Sequence, residues 1–430
     1  MFFDRPDAGT RALLVHIEQK GSELACAEEL RELSLSAGLE AVGYIDSKRK
    51  FPHPGTYVGA GKLEEIKDLA QQLEAELIVF GEDLSPTQER NVEEILETRV
   101  LSRTGLILEI FAQRARTHEG KLQVELAQLR HASTRLIRGW THLDRQRGGS
   151  GSGQAAAGLG GAGETQLEAD QRLLGDRIKK INQRLAKVRK QRSQNRRARL
   201  RSDTKTVSLA GYTNAGKSTL FNRLSDANVH AADQLFATLD PTLRRLELPL
   251  VGELVLSDTV GFIRQLPHTL VDAFRATLEE VTEADLIMHV IDAAATQRED
   301  RIEEVNKVLV EIEAERVPQL LVYNKSDLIG KPPCIERDAA GKPVRVWVSA
   351  LKGDGMELVT TALVELLAED VVETTVTLTP DQGRLRAQFF AIGAVVREES
   401  VGEGNINLQL RIEQRNLDRI TGNLKVKTLG

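Results

Sequence analysis

Gly211-Tyr-Thr-Asn-Ala-Gly-Lys-Ser218 constrains this chain more than any other feature. The eight residues follow the apolar run Thr206–Ala210 and precede a helical pattern, which is the setting a phosphate-binding loop requires. Glycines there let backbone N–H groups of Gly211, Tyr212, Thr213, Asn214, Ala215 and Gly216 face phosphate oxygens. Lys217 reaches the β and γ oxygens, and the Ser218 hydroxyl binds Mg²⁺. A loop of this kind joins a buried parallel strand to a helix, so it commits its surroundings to an α/β domain. Leu254–Ser257, Leu286–Ile291, Gln319–Tyr323 and Val344–Val348 read as the other buried strands of a mostly parallel sheet.

Three further elements follow in order. Asp258-Thr259-Val260-Gly261 comes directly after a strand. Its carboxylate can steer Mg²⁺ through a water, and the Gly261 N–H can meet a γ-phosphate. Asn324-Lys325-Ser326-Asp327 follows another strand, and Asp327 can accept two hydrogen bonds from the guanine N1–H and exocyclic amine. Adenine has no such donor pair, and a buried carboxylate left unpaired is costly, so the pattern selects GTP over ATP. Ser349-Ala350-Leu351 ends the last strand, where a backbone N–H can meet the guanine oxygen. Between the phosphate loop and Asp258 lies Phe236-Ala237-Thr238-Leu239-Asp240-Pro-Thr242. Thr238 is the hydroxyl assigned to Mg²⁺ and the γ-phosphate, with Thr242 its competitor.

Together these elements predict a GTP-binding P-loop domain that hydrolyses GTP to GDP and phosphate. No catalytic residue is evident. Phe262 occupies the position after Gly261 where a water-orienting Gln often stands, and it cannot bond a water. Gln234, Gln265 and His268 lie nearby, with nothing to choose among them. Intrinsic turnover is therefore expected to be slow, and a partner or a cation is expected to complete the site. Asn214 is a candidate ligand for K⁺ beside the phosphates, or a brace for the loop.

Four zones organise the chain. Residues 1–112 mix strand-like runs (Ala12–Ile17, Leu77–Phe80, Val100–Leu101) with helical ones (Leu63–Leu73, Gln88–Leu96), as in a small α/β domain. Gly59-Ala-Gly-Lys62 before a helix is either a second phosphate cradle or a tight turn. Residues 113–203 carry two apolar seams. Leu122, Leu126, Leu129, Ser133, Leu136, Trp140 and Leu143 form one, and Leu167, Gln171, Leu174, Ile178, Ile181, Leu185 and Val188 the other. Both step alternately by three and four, which predicts an antiparallel helical hairpin roughly 40 Å long at ~1.5 Å per residue. Its connector, residues 148–163, is half glycine and uncharged. Residues 204–370 hold the nucleotide motifs, and residues 371–430 read as a small α+β domain.

Charge singles out the hairpin. The chain carries a net charge of −5, yet residues 112–202 hold 21 Lys and Arg against 7 Asp and Glu. Arg184–Arg201 alone has nine basic residues and no acidic one, Arg196, Arg197 and Arg199 among them. Like charges spaced i,i+4 destabilise an isolated helix, so an anionic surface such as ribosomal RNA is expected to offset them. Two cysteines, Cys26 and Cys334, make neither a disulfide framework nor a metal site. No apolar run is long enough for a membrane span, and the first residues do not read as a secretory leader. A cytoplasmic monomer is expected, with loose membrane association left open.

The chain resembles the HflX family of ribosome-associated GTPases, which is close to the Obg-like GTPases. The resemblance covers nearly the whole length. It rests on Arg103–Leu129, Gly163-Glu-Thr-Gln-Leu-Glu168, Gly211–Thr219, Phe236–Thr242 and Asp258–Phe262. It implies binding to the large (50S) ribosomal subunit and GTP-regulated splitting of stalled ribosomes under stress, with the N-terminal domain and hairpin entering near the peptidyl transferase centre. It also implies ATP as a ligand of the N-terminal domain. One departure stands out: the glycine-rich connector is longer than usual, has Ala162 where the family carries Pro, and lacks an Arg. Gln171 likewise replaces a commonly basic residue. Two other readings share the motifs. One is a GTPase of ribosome assembly or RNA modification. The other is a coiled-coil scaffold or membrane-associated regulator that uses GTP as a switch.

Overall fold

The computed structural model describes residues 9–18, 25–48, 51–139, 166–201, 204–225, 234–264, 278–368, 371–402, 404–421 and 428–429. It divides into two compact units. One comprises Met1–Gln194, Ala232–Asp240 and Arg264–Ala276; the other comprises Asn195–Ala231, Pro241–Ile263 and Thr277–Gly430.

In the first unit, strands and helices alternate: β1 (Arg11–Glu18), α1 (Ala25–Ser36), β2 (Glu40–Lys48), α2 (Ala60–Gln72), β3 (Leu77–Phe80), α3 (Pro86–Leu96) and β4 (Arg99–Leu101). The strands join in the order β2-β1-β3-β4, all parallel. The middle of this sheet is covered on both faces, so β3 is an uninterrupted Leu-Ile-Val-Phe with all four residues buried. β2 escaped the sequence reading because it is an edge strand, and only Ile45 in it is fully buried. The first turn of α3 is closed by a reciprocal cap: Gln88 N donates to Ser85 Oγ at 3.2 Å, and Ser85 N donates to Gln88 Oε1 at 2.9 Å. Gly59 is the N-cap of α2, and the Lys62 ammonium pairs with Glu65 at 2.8 Å.

Three helices follow: α4 (Arg103–Arg114), α5 (His118–Gly139) and α6 (Gln166–Arg201), the last belonging to this unit as far as Gln194. Leu122, Leu126 and Leu129 of α5 pack with Leu174, Ile178, Ile181 and Leu185 of α6. Arg177 bonds Glu125 beside this seam. Trp140, Leu143 and the connector at residues 148–163 lie outside the described residues, as do the side chains of Leu136, Arg196, Arg197 and Arg199.

The second unit is built on seven strands: β5 (Lys205–Gly211), β6 (Thr242–Leu248), β7 (Gly252–Asp258), β8 (Leu286–Asp292), β9 (Gln319–Asn324), β10 (Cys334–Arg337) and β11 (Pro343–Trp347). Their order is β10-β11-β9-β8-β5-β7-β6. The five inner strands run parallel, and the edges β6 and β10 are antiparallel. All five buried strands expected from sequence are inner strands. β6, Thr-Leu-Arg-Arg-Leu-Glu-Leu, has little apolar surface to mark it, because an edge strand facing solvent needs little. Helices α7 (Lys217–Ser225), α8 (Arg298–Glu311) and α9 (Met356–Leu367) flank this sheet.

A second sheet closes the chain, with β12 (Val371–Leu378), α10 (Gly383–Ala391), β13 (Val395–Val401), β14 (Asn405–Glu413), α11 (Gln414–Thr421) and β15 (Thr428–Leu429). Its antiparallel order is β13-β14-β12-β15, over a core of its own that includes Val376, Phe389, Leu408, Leu410 and Ile412. Among the described residues, no helix is long and apolar enough to cross a membrane.

Candidate nucleotide site

β5, β7, β9 and β11 are parallel inner strands, so their C-terminal ends share one edge of the sheet. The four motifs of the second unit sit at or just past those ends. β5 lies between β7 and β8, the switch point of strand order at which open parallel sheets bind ligands.

The phosphate loop begins where β5 stops. Gly211 has φ 151° with Val290 O against it, and a Cβ there would lie 2.2 Å from that oxygen. Asn214 at φ 60° and Gly216 at φ 89° complete the reversal into α7. Lys217 is buried and donates to Gly211 O at 3.0 Å and to Tyr212 O at 2.8 Å. Burial brings its pKa down to about 8, against the opposing pull of Asp258. Among the described residues, the buried Thr213 hydroxyl has no hydrogen-bond partner. Ser218 Oγ donates to Asp258 Oδ2 at 2.7 Å, which brings a hydroxyl and a carboxylate oxygen together beside the lysine.

The Asp258 loop is bound to the phosphate loop by backbone. Thr213 N donates to Phe262 O at 2.7 Å, and Phe262 N donates to Gly211 O at 3.1 Å. The Thr259 hydroxyl donates to Leu209 O at 2.6 Å. Val260 is buried, and a Cβ on Gly261 would lie 3.0 Å from Lys217 Nζ. Phe262 is fully buried, so its side chain is part of the packing.

Asn324 ties three loops together. Its Nδ2 donates to Ala215 O at 2.9 Å, and its Oδ1 accepts from Ala350 N at 2.9 Å. Sequence reasoning gave it no such task, because both partners are backbone atoms far away in the chain. Lys325, at φ 63°, extends its ammonium to Asp292 at 2.9 Å. Ser326 N donates to Val348 O at 3.1 Å and fixes the turn that presents Asp327. The Asp327 side chain is 11% exposed and lies 3.8 Å from Lys352 Nζ. Ser349 is buried, while Leu351 is exposed. Arg223 of α7 donates to the carbonyls of Ala350 at 3.0 Å and Leu351 at 2.8 Å, a second brace that the sequence did not reveal.

The segment with Thr238 is placed differently. Residues 232–240 belong to the first unit; Leu239 is buried, Phe236 meets Phe111 of α4, and Asp240 accepts from the backbone N–H groups just before α5. Gln234 bonds Arg114 there. Gln265 and His268 lie outside the described residues.

The lysine predicts a pH effect. Phosphate charge placed beside Lys217 should raise its pKa above the value of about 8 in the free chain. Nucleotide binding should then take up a proton above that pH, with affinity full below about 8 and falling as pH rises toward the bound-state pKa. Titration calorimetry at pH 8.5 in buffers of differing ionisation enthalpy reads that proton directly. A binding enthalpy independent of buffer would exclude the effect.

Comparison with known proteins agrees with this geometry. Three family models match in succession: GTP-binding GTPase N-terminal over residues 25–112, GTP-binding GTPase Middle Region over 114–199, and 50S ribosome-binding GTPase over 206–325. The chain is 54% identical over 412 residues to the GTPase HflX of Escherichia coli (strain K12), covering 95% of each chain. It is 44% identical to that of Magnetococcus marinus, over 97% of this chain and 96% of the relative. It is 40% identical to that of Caldanaerobacter subterraneus, over 94% and 91%. With this likeness over 95% of its length, the chain belongs to the HflX family of GTPases and carries a ribosome-binding GTPase domain.

Proposed function

We propose that this GTPase binds the 50S subunit and couples its GTP cycle to the separation or rescue of stalled 70S ribosomes. The observation that carries this reading is an adjacency: a 50S ribosome-binding GTPase match over 206–325 follows a segment, 112–202, with 21 basic and 7 acidic residues. Phosphate contacts from such a segment supply affinity without reading sequence. The test is sedimentation. With a non-hydrolysable GTP analogue the protein should travel with 50S particles, and added protein should convert 70S particles to subunits in a sucrose gradient. Co-sedimentation without conversion would favour a role in ribosome assembly.

The residues are assigned as follows. N–H groups of Gly211–Ser218 and the Lys217 ammonium hold the β and γ phosphates. Ser218 would hold Mg²⁺, with Asp258 acting through water, and the sequence motif assigns Thr238 to the same ion. The donors fit, since hydroxyl and carboxylate oxygens are the hard ligands that this ion takes. When bound, Mg²⁺ would offset the negative charge of the phosphate oxygens during hydrolysis. Asp327 reads guanine. The Ala350 N–H is already held by Asn324, so the guanine oxygen falls to the Leu351 N–H.

With Phe262 buried, no residue in its place orients the attacking water. Two expectations follow from that. Added 50S subunits should raise GTP turnover at least tenfold, about 1.4 kcal/mol of barrier. A phosphate-release assay with and without subunits measures this, and an unchanged rate would remove the ribosome as activator. The second concerns Asn214, which sits at φ 60° in the phosphate loop and would there be a ligand for K⁺ or a brace for the loop. Turnover should be faster in K⁺ than in Na⁺ at equal ionic strength. Equal rates with ribosomes present would leave Asn214 as a brace for the loop only.

A further inference from the structure

The turn that presents Asp327 is short and faces outward. Ser326–Ile329 is a single 3₁₀ turn between two left-handed residues, Lys325 at φ 63° and Gly330 at φ 68°. Its Leu328 and Ile329 are exposed, so apolar packing does little to hold it. Two backbone bonds tie its ends: Ser326 N donates to Val348 O at 3.1 Å, and Lys331 N donates to Ser326 O at 3.1 Å. The Lys331 side chain then reaches from the turn to the sheet. Its ammonium lies 3.3 Å from the centre of the Trp347 ring and 2.9 Å from Glu336 Oε1 of β10. Trp347 Nε1 donates to the same Glu336 oxygen at 2.8 Å, which closes a triangle of ammonium, indole and carboxylate. Arg345 approaches the second oxygen of Glu336 at 3.4 Å.

Trp347 stands where the guanine-type loops begin. It ends β11, just before Ser349-Ala350-Leu351, and stacks on Tyr323 with ring centroids 4.3 Å apart and planes at 17°. Tyr323 comes directly before Asn324 in β9, and the Arg298 guanidinium of α8 lies 5.4 Å from its ring centre. All of these residues belong to the second unit. An ion pair this exposed adds little to overall stability, and a cation over an indole adds a modest amount. Orientation is a stricter demand, because a carboxylate that accepts from the N1–H and the amine of one base at once tolerates little tilt. We infer that Lys331, Glu336 and Trp347 are positioning residues for guanine selectivity, a clasp that fixes the exit of the Asp327 turn against the strand leading to Ser349–Leu351. This rests on the reading of Asp327 proposed above. None of the three lies in a nucleotide motif, and none touches the base.

The experiment compares affinity for GTP with affinity for inosine triphosphate, which lacks the exocyclic amine, in the full-length chain. A bond from that amine to a charged carboxylate should favour GTP by about tenfold or more in the wild type. Lys331→Ala is the deciding variant, because its side chain is 34% exposed and its loss opens no hole in the core. It should reduce the preference to about threefold or less, and Glu336→Ala should do the same. Lys331→Arg keeps a cation for the ring and for Glu336, and should restore the preference. Hydrogen exchange at the Leu328, Gly330 and Lys331 amides, which donate within the turn, should quicken in Lys331→Ala while the amides of β9 and β11 keep their rates. Asp327→Asn separates the two claims. If it lowers the preference while Lys331→Ala and Glu336→Ala do not, the clasp is wrong and the reading of Asp327 stands. If Asp327→Asn leaves the preference intact, that reading fails and the inference fails with it. Equal weakening of both triphosphates in Lys331→Ala would show a brace for the whole site and would also overturn the role in selectivity.

Discussion

Asp327→Asn should turn this GTPase toward xanthosine triphosphate. The carboxylate is nearly enclosed, on a turn fixed by the Ser326-to-Val348 hydrogen bond. In the proposed complex it accepts from the guanine N1–H and the exocyclic amine. Hydrogen bonds to a charged group contribute about 1.5–3 kcal/mol each. Losing both lowers GTP affinity on the order of 10²- to 10⁴-fold. An asparagine amide instead offers a donor to the 2-oxo group of xanthine, so xanthosine triphosphate should gain where GTP loses. Fluorescence titration with labelled nucleotides reads both changes. Unaltered GTP affinity would take Asp327 out of the site.

Asn324→Ala should have an effect of similar size and no base preference. Asn324 is 3% exposed, and its amide serves Ala215 O and Ala350 N at once. Truncation leaves a buried carbonyl and a buried N–H without partners, at about 1–3 kcal/mol each. The phosphate loop and the Ser349–Leu351 loop then lose their common brace, and GTP and GDP affinity should fall together, on the order of 10²-fold. The crowding is mutual, because a Cβ on Gly216 would sit 2.2 Å from the Asn324 amide nitrogen. Asn324→Asp is the informative companion. It keeps an acceptor for Ala350 N–H but turns a second oxygen toward Ala215 O, so it should rescue little. A full rescue by Asp would mean that only the Ala350 bond matters, and a loss confined to GTP would contradict the bracing role.

Much of the site was legible because its chemistry is local. Gly211, Asn214, Gly216 and Lys217 form one loop, and no distant residue is needed to recognise a run that turns N–H groups outward at the end of an apolar strand. Asp258 and Asn324–Asp327 likewise follow strands whose unbroken apolar character marks them as inner strands of a parallel sheet. The same reasoning overlooked β2 and β6, since an edge strand buries one side at most and carries a weak apolar signal. The hairpin seam was legible in the steps of three and four, which put Leu122, Leu126 and Leu129 on one stripe of α5.

The sequence by itself determined the fold class, the order of the nucleotide motifs and the charge of the hairpin, because each is set by neighbours along the chain. Only the tertiary structure decided which residues touch across it. It joined Asn324 to Ala215 and Ala350, set Arg223 on the carbonyls of Ala350 and Leu351, and placed Asp240 on the first turn of α5. The run from Phe236 to Thr242 reads as a single motif, yet its members divide between a buried ring, a hydroxyl and a helix-capping carboxylate. The reason is that a side chain's role follows from the donor or surface it meets. For Asp240 that donor is a pair of backbone N–H groups more than a hundred residues earlier, and every non-proline residue carries an identical group, so the sequence holds no mark of which two will be used.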